Sequence, residues 1–237
     1  MPYRRLPNTD RARIRALKTV VEKADVTDAF NLPVVMKTLI ESRNLLTVFE
    51  AAQVYYSECY EQQSKAARRH QTNVRKARLY ISHFIQVLNL AVLRSEIRAA
   101  HKSYYGLSAE NNNVPDLSTE GALVEWGRNI IEGEHRRILQ GGTPIYNPTI
   151  AKVKVHYDIF IESYEKQKNF QSLTASSLET LSSMRDGVDE LVLDIWNQIE
   201  QTFQNISSPE KRLQLCRDYG VVYYYRTGEK QEGDLSE

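Results

Sequence analysis

The stretch 74-VRKARLYISHFIQVLNLAVL-93 decides the fold class of this 237-residue chain. Its apolar residues recur at alternating intervals of three and four, the spacing that places side chains along one side of an α-helix. These residues are Val74, Ala77, Ile81, Phe84, Leu88 and Ala91. The pattern predicts a long amphipathic helix that packs against another helix, as in a coiled coil.

The preceding segment carries the same signal. Leu39, Phe49 and Tyr56 belong to an apolar stripe within residues 34–67, and neither Pro nor Gly occurs between Pro33 and Gly106. A single helix of about 70 residues would extend for about 105 Å. We therefore expect two antiparallel helices, joined by a turn near 69–73 that lets their stripes bury each other.

Five further helices are predicted from polar caps, apolar periodicity and terminating Gly or Pro residues. The first begins near Asp10 and includes Ala24, and the others cover approximately residues 119–139, 148–169, 173–205 and 209–219. In the last one, Ser208 is the expected N-cap, Pro209 the first helical residue and Gly220 the residue beyond the C-cap. The expected fold is all-α, with long antiparallel helices in a bundle.

Val221–Tyr225 holds five consecutive β-forming residues and predicts a short C-terminal strand. Its partner is either the extended segment Pro2–Leu6, which would join the two termini, or the same strand of a second copy. Tyr223, Tyr224 and Tyr225 are therefore candidate interface residues, because tyrosine suits the rims of cores and protein interfaces.

The chain divides into two halves of opposite charge. Residues 1–105 form a basic N-terminal half, 106–118 an Asn-rich linker and 119–237 an acidic C-terminal half. Residues 1–118 hold 18 Lys+Arg and 11 Asp+Glu, a balance of +7, whereas 119–237 hold 13 and 19, a balance of −6. We expect the halves to pack as one compact unit.

The two halves also repeat the same order of elements. At an offset of 110, the segment Thr9–Ile14 aligns with Thr119–Val124, and Pro33 aligns with Pro144 at an offset of 111. An internal duplication would explain the match, although helical patterns also match by chance.

The composition excludes several classes of protein. Net charge is +1, which provides no overall attraction to nucleic acid or membranes. Cys59 and Cys216 lie too far apart for a zinc motif, and no apolar run reaches the length of about 18 residues that a membrane-spanning helix needs. We expect a cytoplasmic, unprocessed protein whose two cysteines are reduced core residues, with no cofactor or metal.

Catalytic signatures are also missing from the sequence. No nucleophile elbow, phosphate-binding loop or zinc-protease motif occurs. Glu132 and His135 have the E-x-x-H spacing of di-iron bundles, but such a site needs a second motif of this kind. No other histidine follows a glutamate by three residues, so we expect Glu132 and His135 to be an exposed pair.

A basic stretch over residues 65–78 is the strongest candidate contact site. It holds Lys65, Arg68, Arg69, Arg75, Lys76 and Arg78, and no acid occurs between Glu61 and Glu96. At a hairpin tip it would form a basic knob able to contact phosphates or a protein partner. Alternatively, it pairs with acids of the second half, such as Asp186 and Asp189.

Two charged residues fall on or near apolar helix faces. Arg13 lies inside the apolar arc of the first helix, and Glu134 lies close to the apolar face of the helix over 119–139. A buried charge requires a partner. We therefore predict a buried ion pair, either Arg13 with Glu134 or Glu134 with Arg137.

Two segments, 4-RRLPNTDRAR-13 and 219-YGVVYYYR-226, resemble a family of uncharacterised all-helical proteins of Bacteroidetes. The resemblance covers the whole chain and implies a bacterial cytosolic helical protein. It brings no catalytic signature and no known function.

Three functional hypotheses follow. The leading one is a non-enzymatic interaction or scaffold protein that binds a protein partner or a second copy of itself. The alternative is a nucleic-acid-associated protein that uses residues 65–78. The third is a helical-bundle enzyme or metal protein.

Overall fold

A computed structural model of the chain describes residues 2–226 and confirms the all-α class. The helices are α1 (Asp10–Asp25), α2 (Met36–Leu93), α3 (Glu120–Leu139), α4 (Ile150–Ser183), α5 (Arg185–Phe203) and α6 (Pro209–Asp218), and the strands are β1 (Tyr3–Arg4) and β2 (Tyr223–Tyr224). Within these residues no helix combines the length and apolarity that crossing a bilayer requires.

The turn expected near 69–73 is wrong, because α2 is one helix of 58 residues. Ala, Gln, Lys and Arg, which are strong helix formers, dominate residues 62–71, which lead into the segment where we expected the turn. The two sets of apolar residues are also buried in different places. Leu39 and Phe49 belong to one hydrophobic core, while Ile81, Phe84 and Leu88 belong to another.

The helix break expected at 169–173 is also misplaced. Helix α4 continues to Ser183, and the interruption lies at Met184, after which α5 begins. No Pro or Gly lies within α4, so nothing in the local sequence stops the helix earlier.

The chain folds into two compact units. Unit 1 comprises Met1–Cys59 and Ala175–Glu237, and unit 2 comprises Tyr60–Thr174. Neither unit coincides with the halves expected at 1–105 and 119–237. The expected linker at 106–118 lies inside unit 2, where Leu107 and Leu117 are buried.

Unit 1 buries the apolar faces of α1 and α5 against the first part of α2. Its largest fully buried side chains include Leu17, Leu39, Phe49 and Trp196. The expected capping of α6 is confirmed, because the Ser208 hydroxyl accepts from the backbone of the first turn and Pro209 opens the helix.

The two ends of the described chain pair in unit 1. Strand β1 is antiparallel to β2, with Tyr3 opposite Tyr224 and Arg4 opposite Tyr223. The Arg5 amide continues the ladder by donating to the Val222 carbonyl at 2.9 Å. Of the two partners considered for the C-terminal strand, the structure shows the N-terminal segment Pro2–Leu6. We call this pairing the terminal staple.

Unit 2 packs α3 and the first part of α4 against the second part of α2. Its core contains the predicted seam on α2, together with Ile130 from α3 and Phe160 from α4. Four buried side chains of His, Lys, Glu or Arg also lie in it, namely His70, Lys102, Glu134 and Arg137.

The first helix of each sequence half begins in the same way. The Thr9 hydroxyl accepts from the Ala12 amide, and the Thr119 hydroxyl accepts from the Ala122 amide. Each threonine has extended backbone and is followed by an acidic residue in the first turn. Both are N-caps of the kind that satisfies unpaired backbone donors and complements the helix dipole.

A buried tyrosine followed by a glycine also recurs, as Tyr105–Gly106 and Tyr219–Gly220. Gly106 and Gly220 have φ angles of +74° and +88°, and each follows a buried tyrosine. Left-handed backbone of this kind favours glycine. Gly106 approaches Asn129 on α3, and Gly220 approaches Thr19 on α1. Thr19 and Asn129 are 110 positions apart, as are Thr9 and Thr119.

Candidate functional site

The predicted basic stretch lies on a continuous segment of α2 in unit 2. Arg68, Arg69, Arg75 and Lys76 are exposed. At about 100° per residue, their side chains fall within about 120° of one another. Within residues 2–226, no carboxylate forms an ion pair with these four side chains. They form a basic face on the helix, where we had expected a hairpin tip.

The other two predicted cations have local partners. Lys65 is exposed and contacts Glu61 one turn earlier at 2.6 Å, and this hydrogen bond lowers the pKa of the Glu61 carboxyl. Arg78 donates to the Leu117 and Ser118 carbonyls, each at 2.9 Å. Arg78 therefore ties the chain before α3 to α2, which is a structural role.

His70, within the same stretch, is buried and connects three helices. Its Nδ1 lies 2.9 Å from the Ser163 hydroxyl on α4, and its Nε2 lies 3.0 Å from a Glu120 oxygen on α3. The set resembles a hydrolase triad in composition, but the Ser163 hydroxyl also donates to the Phe160 carbonyl at 2.9 Å. We therefore assign His70 to holding α2, α3 and α4 together.

Beside the basic face lies an aromatic stack that sequence reasoning missed. The rings of Tyr80 and His156 are nearly parallel, with centroids 4.1 Å apart, and the Lys152 ammonium lies 5.5 Å from the Tyr80 ring. Burial lowers the pKa of His156, and the nearby charges of Lys76 and Lys152 lower it further. No local motif signals this stack, because its members come from α2 and α4.

Arg13 does not pair with Glu134, and the two residues belong to different units. The guanidinium makes a two-pronged contact with Asp189 on α5, at 2.8 and 2.7 Å, and lies 3.3 Å from Asp10. Asp10 in turn pairs with Arg185 at 2.8 Å. These residues hold α1 against α5. Asp189 therefore pairs with Arg13, and not with a cation of the basic stretch.

Glu134 forms the predicted pair with Arg137 in unit 2, and its side chain is fully buried. The two residues share contacts at 2.9 Å, and the carboxylate also accepts from the Tyr105 hydroxyl at 2.5 Å and the Ile145 amide at 3.0 Å. Burial opposes ionisation, but these hydrogen bonds outweigh it, so the pKa of Glu134 is lowered. Arg137 also donates to the Thr143 carbonyl at 2.7 Å.

The three predicted interface tyrosines lie in or beside β2. Tyr223 is half-buried, and its hydroxyl donates to Glu200 at 2.6 Å. Tyr224 contacts the ring of Tyr3 across the staple, with centroids 5.8 Å apart. Tyr225 is half-buried as well. Tyr223 and Tyr224 therefore stabilise the staple, and their role as a partner surface stays a prediction.

A different surface exposes apolar side chains on the first part of α2. Met36, Ile40 and Val54 are 52%, 52% and 48% exposed, and Thr47 and Ala51 between them are also exposed. At about 100° per residue these five side chains fall within about 60°. We call them the apolar stripe; it extends for about 27 Å along the helix.

The remaining sequence candidates occupy ordinary structural positions. Glu132 and His135 are exposed, as predicted, and Glu132 pairs with Arg136 at 3.2 Å. Cys59 and Cys216 are buried free thiols, which confirms them as core residues. Over residues 2–226, no three His, Cys, Asp or Glu side chains lie close enough together to bind a metal ion.

Comparisons with known proteins identify no relative. No family model matches the chain, and neither the curated proteins nor the solved structures contain a significant match.

Proposed function

We propose that this chain is a non-enzymatic interaction protein that assembles through the apolar stripe of α2. The observation that supports the proposal is a row of half-exposed Met, Ile and Val side chains on one narrow face of a helix. Contiguous apolar surface of this kind is typical of protein interaction sites. Single exposed hydrophobic residues scattered over a surface would carry no such meaning.

The occupant we propose is the same stripe of a second copy. In an antiparallel pairing centred on Thr47, Ile40 of one copy lies opposite Val54 of the other. Arg43 and Glu50 flank the stripe on one side, and Arg43 also pairs with Asp25 of its own chain. In this pairing Arg43 of one copy lies close to Glu50 of the other. The charges beside such a surface are self-complementary, as a symmetric dimer interface requires.

The test measures mass in solution by sedimentation over a concentration series. The wild-type chain should form dimers, and Ile40→Glu or Val54→Glu should shift it to monomers because a charge would be buried. Val155→Glu is the matched control, since Val155 is 55% exposed but lies on α4. Far-UV circular dichroism verifies that each variant is folded.

Exchanging the charges of Arg43 and Glu50 tests whether these two residues meet in the dimer. Arg43→Glu alone should weaken the dimer because two like charges then meet, and adding Glu50→Arg should restore it. A wild-type chain that remains monomeric at every concentration contradicts the proposal, as does an Ile40→Glu variant that dimerises normally.

The basic face supports a second candidate function, the binding of nucleic acid. Four unpaired cations on one side of α2 provide a row of phosphate contacts, and Lys166 on α4 lines the same cleft as Lys65 and Arg69. Contacts of this kind are independent of base sequence and sensitive to salt. Aromatic side chains next to the face can also stack on bases.

Fluorescence anisotropy with labelled duplex DNA and single-stranded RNA over a salt series tests this candidate. Converting Arg68, Arg69, Arg75 and Lys76 to Ser should abolish binding. Converting four exposed cations of unit 1 to Ser should leave it unchanged; these are Arg11, Lys18, Lys37 and Lys211. Equal losses in both variants would indicate attraction by net charge alone.

We also infer that the two sequence halves descend from one duplicated segment. The support is the repeated Thr cap, the repeated Tyr-Gly pair and the offset of 110 that relates Thr9 to Thr119 and Thr19 to Asn129, the two residues that the glycines approach. We also propose that the protein is bacterial and cytoplasmic. The two free, buried thiols are consistent with a reducing compartment.

A further inference from the structure

A cleft of about 390 Å³ opens in unit 1 beside the terminal staple. Its floor is apolar and includes Ala16 from α1, Trp196 from α5 and Val221, all of them buried. Two of its walls come from α1 and from the segment that precedes α1. The volume lies within the range of small-molecule binding sites.

Three arginines line this cleft, and no Asp or Glu side chain among the described residues does. Arg5 follows β1, Arg15 lies on α1 and Arg217 lies on α6. Within residues 2–226 none of the three side chains forms an ion pair or a hydrogen bond. Arg4 shows the contrast, because it pairs with Glu200 and Asn197.

The staple explains how Arg5 reaches the cleft. Successive side chains of a strand point to opposite faces, so Arg4 and Arg5 diverge. The Arg5 amide is held by the Val222 carbonyl, which fixes the backbone at the rim. On α1, Arg15 lies between Ala12 and Thr19, which line the cleft at helical spacing.

The floor also contains an unsatisfied donor. Trp196 is 1% exposed, and its Nε1 is buried without a hydrogen-bond acceptor in the part of the chain that the structure describes. Buried donors are normally paired, and each exception requires an explanation. Here the indole belongs to the floor of a cleft that three arginines line and that no described Asp or Glu side chain lines.

We propose that this cleft binds a small organic anion, with a carboxylate or phosphate head and an apolar body. The arginines contact the head, since guanidinium groups match the geometry of both oxyanions. The apolar body lies on Ala16, Val221 and the Trp196 ring. The site is separate from the apolar stripe and does not depend on the proposed dimer.

Ligand binding is tested with decanoate, decyl phosphate and the uncharged analogue decanol on the full chain. Trp126→Phe leaves Trp196 as the one tryptophan, so its emission reports on the cleft. Decanoate or decyl phosphate should change this emission and raise the melting temperature, whereas decanol at equal concentration should do neither. The stronger of the two anions identifies the preferred head group.

Arginine variants locate the binding site. Arg15→Gln combined with Arg217→Gln should weaken anion binding about 100-fold, from about tenfold for each charged hydrogen bond lost. Arg11→Gln, an exposed cation on α1 outside the cleft, should bind like the wild type. Equal binding of decanol and decanoate overturns the proposal, and so does an equal loss in the Arg11 variant or unchanged binding in the double variant. The unliganded melting temperature verifies that each variant folds.

Discussion

Replacing Glu134 with Ala should destabilise unit 2 by about 3–5 kcal/mol, the cost of leaving one member of a buried ion pair alone. The structure favours the upper end of this range of destabilisation. Glu134 is fully buried and accepts from Arg137, Tyr105 and the Ile145 amide, all of which would lose this carboxylate acceptor together. Urea denaturation, followed by circular dichroism and by the emission of Trp126 in unit 2, measures the loss.

The same helix offers a matched control. Glu132→Ala removes an exposed pair with Arg136, which should cost no more than about 0.5 kcal/mol. Combining Glu134→Leu with Arg137→Met should recover part of the loss, because no buried charge then remains unpaired. A loss below about 1 kcal/mol for Glu134→Ala would refute the reasoning, since it would mean that the carboxylate contributes little beyond its exposed neighbour.

The pH dependence of folding stability follows from the lowered pKa of Glu134. A carboxyl whose pKa is lower in the folded than in the unfolded state stabilises the fold above its ordinary value of 4.5. That contribution disappears as the pH falls through the lowered pKa, because the folded protein must then take up the proton. Glu134→Gln should therefore lose less stability than the wild type on acidification below pH 4.5.

Three further outcomes are expected from melting curves. Gly220→Ala should cost about 1–2 kcal/mol, because left-handed backbone disfavours a side chain, whereas Gly187→Ala in open space should be neutral or stabilising. Tyr223→Phe should cost about 1–2 kcal/mol through loss of the hydrogen bond to Glu200, with no change in a Tyr224→Phe control. Deleting residues 2–6 should lower the melting temperature without changing the number of copies in each particle, as sedimentation measures it. A change in that number would show that these residues help to hold two copies together.

Helical periodicity predicts the buried faces well. Ile81, Phe84 and Leu88 are all fully buried, as their spacing requires, because one face of an amphipathic helix must leave water wherever the helix packs. The length of α2 could not be predicted in the same way. The two buried apolar faces of this segment could pack against each other across a turn or enter separate cores. Which of the two happens depends on helices that are distant in the sequence.

The candidate site shows the same limit. The position of Glu134 on its helix predicts burial, and the neighbour one turn away, Arg137, is its actual partner. The position of Arg13 predicts a buried contact equally well, but a helix face does not specify which other helix it meets. The stack of Tyr80 on His156 joins α2 to α4 and has no local signature at all.

The terminal staple has a consequence for how the chain can be reconnected. Because Tyr3 lies opposite Tyr224, the two ends of the described chain are neighbours in space. A short linker between them would let the molecule be circularly permuted, with new termini opened in the exposed segment 108–113. Such a permutant would begin with α3 and end with α2, so it would exchange the order of the two similar sequence halves while keeping every helix intact.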